Sequence, residues 1–539
     1  MIATTTSTPW AYFCVRFFLR LVLNIFYGNI VVENTHLIPG NGEACIVCAN
    51  HDNSVTDAAM LLVSIPQKRR SMLRVTAKST HFGKTTFVAW LISLTGAVPV
   101  KRRVDFANGQ VDNSEALLKL VEALEVGEAV GFFPEGVSRY SSALAPMRSG
   151  VGRLVSQVLS RNRNKPDFEI SILPCSITYM NRQHFRSDVL VSFQPPMKFK
   201  PKDHPELLEP IEFNHIRRLT AQIEERVGAG TLHAPSWKMQ RNAKMAAQLY
   251  APLGTTISLG DHVRTVKIFL EAFKSAHAAR EPCTPIKEIV PLFGEYAKDE
   301  RDKVAQLGVA LQDYTERLTH LRINDDRIRR PLRRLAVIGR IVLRFLWALI
   351  LFTLSFPGLI LWLPVFASSY VGVRLLKSKT AMADAEVRIA HTKQLCGTFG
   401  IFLVVAVSTV YAATVSPARA LLVPPVMWMS LRWLEDGVSS FRAFVVLMRL
   451  LALGPTALHR LYVARENLRG LVMDFALQEL GLPDDPAEFF AKTACGDKRR
   501  ANGQWTGGMD YFSIIRRRKK DWNEVLRLSE PVVYPEDDT

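Results

Sequence analysis

The spacing of apolar and polar residues divides the chain into three regions. Between residues 31 and 200, short apolar runs typical of strands alternate with segments of helical period. Residues 205–334 are polar and charged at helical spacing, and long uncharged runs follow beyond them. The pattern predicts an α/β domain with a mainly parallel sheet flanked by helices, then a helical region, and then C-terminal transmembrane helices.

Within the first region, strand and helix candidates alternate as a parallel sheet requires. The strand candidates are 42–50, 70–78, 96–102, 128–136, 168–179 and 189–199, and the helix candidates include 56–65, 87–95, 114–127 and 151–161. In such sheets the loops after the carboxyl ends of the strands build the functional site. His51, the pair Lys101–Arg102 and Glu135 all fall in loops of this kind.

The apolar run at residues 10–27 contains Arg16 and Arg20. Two arginines are costly in the centre of a bilayer, so we expect an amphipathic helix at the membrane interface, with both arginines pointing outward. The alternative is a helix that belongs to the core of the α/β domain.

Two later runs are long enough to span a bilayer. Residues 345–369 and 397–415 contain no charged side chain. Pro357–Gly358 interrupts the first run and Pro424–Pro425 a weaker third one, which predicts hairpins and two to four membrane passes. Basic residues on both sides of the first run favour a cytoplasmic position for its two ends.

These features predict five segments along the chain. They are an interfacial helix at 1–30, the α/β domain at 31–235, a helical region at 236–335, transmembrane helices or hairpins at 336–455, and a helix followed by a flexible basic and acidic tail at 456–539. The basic cluster of the tail, residues 516–520, is either a solvated charge run or a contact with anionic lipid.

The charge of the chain narrows the function classes. Lysine and arginine outnumber aspartate and glutamate by 68 to 50, which gives a net charge of +18. Such an excess suits nucleic acid, an anionic membrane surface or a phosphorylated substrate. The sequence has no RNA-binding motif and no zinc-finger spacing, so binding of nucleic acid is disfavoured. Seven scattered cysteines indicate a reducing compartment.

Cys45 and Cys48 form a C-x-x-C in the first strand candidate, a spacing also found in metal sites. Side chains three residues apart on a strand point to opposite faces, and no second cysteine or histidine pair completes a tetrahedral site. We therefore interpret both residues, and Cys175, as buried strand residues and predict no metal and no redox cofactor.

Four motifs follow one another in the α/β region. They are NHDNSVTD (50–57), GAVPVKRR (96–103), FFPEGVSRYS (132–141) with PMRSG (146–150), and ILPCSITY (172–179) with MNRQHFRS (180–187). In this order they resemble the glycerolipid acyltransferase superfamily, and most closely the fungal-type glycerol-3-phosphate/dihydroxyacetone-phosphate acyltransferases. Five residues separate His51 from Asp57, where most of the superfamily has four; the fungal-type branch shares the longer spacing.

The resemblance implies roles for the motif residues. It makes His51 and Asp57 catalytic, with Asp52 as the competing carboxylate. It makes Lys101, Arg102, Glu135, Gly136, Ser138, Arg139 and Arg148 substrate-binding, and Pro134 and Pro174 motif-shaping, with no metal ligand among them. Arg103, in the second motif, and Lys78, between the first and second motifs, are further cations of this region.

The chemistry of the family explains these residue types. A neutral imidazole takes the proton of a hydroxyl that attacks a thioester, and a carboxylate on the other ring nitrogen fixes its tautomer. The guanidinium of Arg102 matches a phosphate. Backbone N–H groups near Gly136 are candidate donors to the oxyanion, and Glu135 is expected to orient an arginine or a substrate hydroxyl.

The expected function is therefore a membrane-bound sn-1 acyltransferase that uses acyl-CoA as co-substrate, with no bound cofactor. Its acceptor is glycerol 3-phosphate, dihydroxyacetone phosphate or both, and its partners include membrane lipid but no nucleic acid. The expected location is the endoplasmic reticulum membrane with the catalytic domain facing the cytosol; lipid droplet and mitochondrial membranes are alternatives. A lysophospholipid acyltransferase and a non-catalytic scaffold of the same fold are the competing interpretations.

Overall fold

A computed structural model describes residues 9–82, 87–102, 111–182, 187–251, 259–278, 296–323, 325, 328, 334–379 and 382–484. Arg103 and the basic cluster at 516–520, both named in the sequence analysis, lie outside these residues. The described residues form two units: 9–233 with 382–391, and 234–379 with 392–484.

The first unit is built around a sheet of eight strands. They are β1 (Ile30–Glu33), β2 (Ala44–Ala49), β3 (Leu73–Lys78), β4 (Val98–Val100), β5 (Ala129–Phe132), β6 (Ile170–Tyr179), β7 (Val189–Phe193) and β8 (Met197–Phe199). The strand order is β1-β7-β6-β2-β5-β3-β4, and β8 pairs with β6. Only the pairs of β6 with β7 and with β8 are antiparallel, so the mainly parallel sheet predicted from the sequence is confirmed.

Helices cover both faces of this sheet. They are α1 (Pro9–Phe26), α2 (Val55–Ser64), α3 (Phe87–Leu94), α4 (Ser114–Glu125), α5 (Gly150–Arg161) and α6 (Phe213–Gly228). One core cluster joins side chains of α1 and α2 to the sheet, and a second joins those of α4, α5 and α6. Strand β2 lies between β5 and β6 and is buried along its whole length, which explains its unbroken apolar run.

The two cysteines of β2 lie on opposite faces of the sheet. Cys45 belongs to the cluster under α1 and α2, and Cys48 to the cluster under α4, α5 and α6. Because β-strand side chains alternate between faces, these two thiols are both core residues and do not form a shared metal site.

One face of α1 is part of the core. Tyr12 and Leu23 are buried, and the Tyr12 hydroxyl accepts a hydrogen bond from the Leu73 N–H at 3.1 Å. The expectation that the arginines of this helix point outward is wrong for Arg16, whose guanidinium donates to the carbonyl of Ile65. That carbonyl lies at the C-terminal end of α2, where helix carbonyls lack intrahelical partners and attract cations.

The opposite face of α1 is exposed and aromatic. Trp10 and Phe17 are 68% and 71% accessible, and Phe13 and Leu21 are also exposed on this helix. Trp90 of α3, a helix that contacts α1, is exposed as well. The helix therefore has the two apolar faces that explain its long apolar run.

The second unit is helical. Its elements are α7 (Trp237–Tyr250), α8 (Leu259–Ala278), α9 (Tyr296–Leu321), α10 (Arg334–Lys379), α11 (Met382–Val415), whose first ten residues fall in the first unit, and α12 (Pro417–Gln478). In the described part of the chain, three helical segments are long and apolar enough to cross a membrane: Val337–Lys377, His391–Val415 and Pro417–Gln478.

The predicted hairpins are wrong at both proline sites. Helix α10 continues through Pro357 and Pro364, and α12 continues through Pro424 and Pro425. A proline removes one helical hydrogen bond, but neighbouring helices keep the chain helical where they pack against it. Here α10 packs along α12, and the indole N–H of Trp362 donates to a carbonyl of α12 at 2.9 Å.

Candidate active site

The loop after β2 and the first turn of α2 bring His51 and Asp57 together. Nδ1 of His51 lies 2.9 Å from Oδ2 of Asp57. The His51 side chain is 17% accessible and that of Asp57 is 0% accessible. The imidazole stacks on the ring of Phe133, with 4.4 Å between the centroids. In the part of the chain that the structure describes, Nε2 makes no hydrogen bond.

Asp57 accepts hydrogen bonds on both carboxylate oxygens. Oδ2 is shared by His51 and the backbone N–H of Asn53, which lies 2.6 Å away. Oδ1 accepts from the hydroxyl of Tyr179 at 2.6 Å. Burial raises the pKa of Asp57 above its ordinary value, while the bonds from His51 and Tyr179 favour the carboxylate. The His51 ring thus has a fixed acceptor for a proton on Nδ1.

Tyr179 and Asn53 were not predicted from the sequence. Tyr179 is the last residue of β6, and the only signal for it is its position at the end of the fourth motif. The Asn53 N–H belongs to the turn that enters α2, where Ser54 has a positive φ of 50°. The Ser54 N–H donates to the hydroxyl of Ser138 at 2.9 Å, so this predicted residue holds the turn in place.

The competing carboxylate, Asp52, is bonded to other residues. Its oxygens accept from the Asn50 amide at 2.7 Å and lie 3.4 Å from Nε2 of His233. Although burial opposes ionisation, His233 and the hydrogen bond from Asn50 lower the pKa of Asp52. The backbone carbonyl of Asp52 accepts from Arg182 at 2.6 Å.

Glu135 supports the backbone of His51. Its Oε1 accepts the His51 N–H at 2.7 Å, and the residue is only 5% accessible. Burial and the nearby charge of Asp52 raise the pKa of Glu135 to about 7. The hydrogen bond observed for this carboxyl group comes from the His51 main chain. The sequence analysis expected its partner to be an arginine or a substrate hydroxyl.

Gly136 forms the turn after Glu135 and requires a glycine. Its φ is +73°, and a Cβ at this position would lie 3.0 Å from Cδ and Nε of Arg148. Its N–H donates to the carbonyl of Phe133 at 3.0 Å and so is already bonded within the turn. Its carbonyl accepts from Nη1 of Arg102 at 3.3 Å.

Two of the predicted cations therefore lie at the same turn. Arg102 is half-buried, and its guanidinium donates to the Gly136 carbonyl. Arg148 is exposed, and its Cδ and Nε lie beside the Cα of Gly136. Arg148 is fixed at its main chain, because its N–H donates to the carbonyl of Pro134 at 2.9 Å.

The remaining predicted residues are Lys101, Arg139 and Pro174. Lys101 is exposed, and its main chain is paired with the Asn113 amide at 2.9 Å. Arg139 is exposed, and its N–H donates to the His51 carbonyl at 3.3 Å. Pro174 lies within β6 opposite Cys48. Within the described ranges, no group of three histidine, cysteine or carboxylate side chains has the arrangement of a metal site.

Two protein families match this chain. The acyltransferase family matches residues 29–178, which contain His51, Asp57 and Glu135, and the glycerol-3-phosphate acyltransferase 2 C-terminal domain matches residues 283–416. Residues 29–178 are thus an acyltransferase-family domain.

Two of the similar proteins are from yeasts. Glycerol-3-phosphate O-acyltransferase 2 of Saccharomyces cerevisiae is 24% identical over 293 residues, 53% of this chain and 35% of that protein. The alignment thus spans about a third of the length of that relative. An uncharacterized acyltransferase of Schizosaccharomyces pombe is 19% identical, over 85% of this chain and 78% of that protein. These matches confirm the resemblance inferred from the four motifs.

A solved bacterial structure is also similar. The 1-acyl-sn-glycerophosphate acyltransferase of Thermotoga maritima is 19% identical over 40% of this chain and 78% of that one, with a TM-score of 0.28.

Proposed function

We propose that the protein transfers an acyl group from acyl-CoA to the sn-1 position of glycerol 3-phosphate, dihydroxyacetone phosphate or both. This is the first step of phospholipid and triacylglycerol synthesis. The observation that carries the proposal is the imidazole of His51, which is held on Nδ1 by a buried carboxylate and keeps 17% of its side chain accessible.

The reaction follows from this arrangement. Nε2 takes the proton of the acceptor hydroxyl while its oxygen attacks the thioester carbonyl carbon. The tetrahedral intermediate then expels the CoA thiolate, which takes the proton from the imidazolium. Asp57 keeps Nδ1 protonated and stabilises the imidazolium; general base catalysis of this kind contributes roughly 10²–10⁴-fold. The acceptor supplies the nucleophile, so no acyl-enzyme is needed.

The phosphate of the acceptor is assigned to Arg102 and Arg148. Their side chains meet at Gly136, in the turn that follows Glu135. A guanidinium pairs with two phosphate oxygens at once, which fixes the acceptor as well as attracting it. Lys101 and Arg139 add positive charge in the same motifs, where a phosphorylated acceptor has to be bound.

The proposed location is a membrane. Residues 31–235 form the catalytic domain, and the apolar helices of the second unit are the proposed membrane passes, with the endoplasmic reticulum as the organelle and the catalytic domain facing the cytosol. The exposed aromatic face of α1 fits the headgroup region of a bilayer, because tryptophan and phenylalanine favour that interface.

The test is acyl transfer from labelled acyl-CoA by membranes that contain the full chain. Glycerol 3-phosphate, dihydroxyacetone phosphate and lysophosphatidate are compared as acceptors, for the wild type and His51→Ala. We expect transfer to one or both of the first two acceptors, and a loss of roughly 10²-fold or more in the variant.

The matched control is His204→Ala. His204 also pairs with a carboxylate, Glu206, at 3.0 Å, but lies at the surface of the same unit, so its removal should leave transfer unchanged. Transfer to lysophosphatidate alone would reassign the acceptor. Equal activity of wild type and His51→Ala would contradict the mechanism.

A further inference from the structure

The hydroxyl of Tyr179 reaches the active-site carboxylate from the opposite side to His51. It donates to Oδ1 of Asp57 at 2.6 Å, while His51 is bonded to Oδ2. Tyr179 ends β6, the parallel neighbour of β2, so the sheet itself brings the hydroxyl to the loop that carries the histidine.

The carboxylate depends on this hydroxyl for its orientation. Asp57 is inaccessible to solvent, and within the described part of the chain Tyr179 is the one hydrogen-bond donor at Oδ1. The bonds from His51 and the Asn53 N–H both go to Oδ2. With Oδ1 fixed as well, the carboxylate cannot turn about its last bond, and its Oδ2 stays aimed at Nδ1.

The tyrosine is itself held in place. Its main chain pairs with Val189 of β7, and its ring lies 5.8 Å from that of Tyr27. Burial and the charge of Asp57 raise the pKa of Tyr179 well above its ordinary value, so the hydroxyl keeps its proton and remains a donor.

We propose that Tyr179 is a positioning residue, which fixes the Asp57 carboxylate and sets how strongly that carboxylate holds a proton on His51. The proposal rests on the proposed role of His51 as the general base. The hydroxyl is bonded to Asp57 and not to the imidazole, so it acts through Asp57.

The proposal gives a definite sign for the pH dependence. A hydroxyl that donates to a carboxylate spreads its negative charge. Without that donor, Asp57 attracts the proton of the His51–Asp57 pair more strongly, so the pair loses it at a higher pH. A hydrogen bond to a charged group is strong enough to move this midpoint by about one pH unit.

Other ionisable groups surround the pair. They are Asp52 in the same loop, Glu135 after β5, Tyr27 after α1, and His233 and Arg182 beside Asp52. All of these groups are present in the wild type and in the variants below. A difference in the pH midpoint between Tyr179→Phe and the wild type therefore reports the contribution of the Tyr179 hydroxyl.

The experiment compares Tyr179→Phe with Tyr12→Phe in the full chain. The control deletes another tyrosine hydroxyl from the same core cluster, where its partner is the Leu73 N–H and not Asp57. Two readouts are taken across pH: kcat/KM for acyl transfer, and the rate at which diethyl pyrocarbonate, which attacks neutral imidazole, modifies His51, followed by peptide mass spectrometry.

We expect the midpoint of both profiles to rise by about one pH unit in Tyr179→Phe, with kcat lowered about tenfold. Tyr12→Phe should retain the wild-type midpoint, whatever its effect on thermal stability. An unchanged midpoint in Tyr179→Phe, or an equal shift in both variants, would overturn the proposal. The modification readout needs no turnover, so it decides the role of Tyr179 even if the acyltransferase assay fails.

Discussion

At the scale of single residues, three carboxyl groups lie around one imidazole and differ in what they contact. Asp57 is bonded to the ring, Glu135 to the backbone N–H of the histidine, and Asp52 to His233 and Asn50. The sequence shows three acidic residues in the motifs, but only the hydrogen bonds assign one of them to the ring.

Asp57→Asn tests that assignment. The new amide keeps the shape of the side chain but places an NH2 group among three donors, so the tautomer of His51 is no longer fixed. We expect kcat to fall by roughly 10²-fold or more, as for loss of the orienting carboxylate in other His–Asp pairs. The measurement is steady-state acyl transfer, with Asp52→Asn as the matched change.

Asp52→Asn should lose far less, because its carboxylate contacts Asn50 and His233 and not the imidazole ring. If Asp52→Asn proved the more damaging of the two, the catalytic pair would have to be reassigned.

Glu135→Gln tests the effect of burial on a carboxyl group. The folded pKa of about 7 lies above the ordinary value of 4.5, so the folded state holds a proton that the unfolded chain has released. Stability should therefore fall as pH rises from 4.5 to 7. Gln keeps the acceptor for the His51 N–H and removes this loss, which corresponds to on the order of 3 kcal/mol above pH 7.

The measurement for Glu135→Gln is the thermal unfolding midpoint of the full chain at pH 5 and pH 8. The advantage of the variant should be larger at pH 8. The same difference at both pH values would show that Glu135 is already ionised at pH 5.

The sequence predicted His51 and Asp57 because both lie within one short motif, where spacing is informative. It missed Tyr179 because that contact joins residues 122 positions apart and depends on β2 and β6 being neighbours. It also assigned Glu135 to a substrate or an arginine, since a motif shows which residues are near one another but not which hydrogen-bond partner each one takes.

At the scale of elements, the turn between β5 and α5 carries most of the substrate-binding candidates and depends on one backbone conformation. Gly136 has a left-handed φ, and its carbonyl accepts from Arg102. The apolar pattern located β5 before this turn from its short apolar run and α5 after it from its helical spacing. It did not predict that β6 and β7 are antiparallel. The spacing of apolar residues within a strand does not depend on whether the neighbouring strand runs parallel or antiparallel to it.

Gly136→Ala should distort this turn. The added methyl group would meet the side chain of Arg148 at 3.0 Å, and the positive φ costs roughly 1–2 kcal/mol for a residue with a Cβ. We expect a raised KM for the phosphorylated acceptor and a lower unfolding temperature, read from kinetics and thermal denaturation of the same preparation.

Gly150→Ala is the matched change for Gly136→Ala. A Cβ at Gly150 has no atom within 4 Å, and the residue begins α5, so this variant should fold and react like the wild type. Equal KM values in the two alanine variants would contradict a role of the turn in holding the acceptor.

At the scale of the whole molecule, the chain joins an α/β unit to a unit of long apolar helices. Composition located the apolar runs, but it misjudged Pro357 and Pro424–Pro425 as hairpin points. A proline in the sequence shows only where a helix would lack one hydrogen bond. The packing that keeps these segments helical comes from residues far away in the sequence, because α12 packs against α10.

Gly358→Ala tests that packing. A Cβ at Gly358 would overlap Cβ and Oγ of Ser430, so α10 and α12 would have to separate. Overpacking of this kind costs roughly 1–3 kcal/mol. We expect a lower thermal unfolding temperature of the full chain in detergent.

Gly339→Ala, in the same helix but with open space around its Cβ, should leave the unfolding temperature unchanged or raise it slightly. An equal effect of the two substitutions would mean that α10 and α12 do not pack at Gly358.

The pairing of β1 with β7 has a consequence for how the protein is made. Ile30 of β1 is in register with Val189 of β7, and β1 has no other partner in the described sheet. On the ribosome, this first strand must wait while about 160 further residues are synthesised, roughly 10–30 s at usual elongation rates. Tyr179 is also synthesised late in this interval. The nascent chain therefore contains His51 and Asp57 long before the Tyr179 hydroxyl can bond to the Asp57 carboxylate.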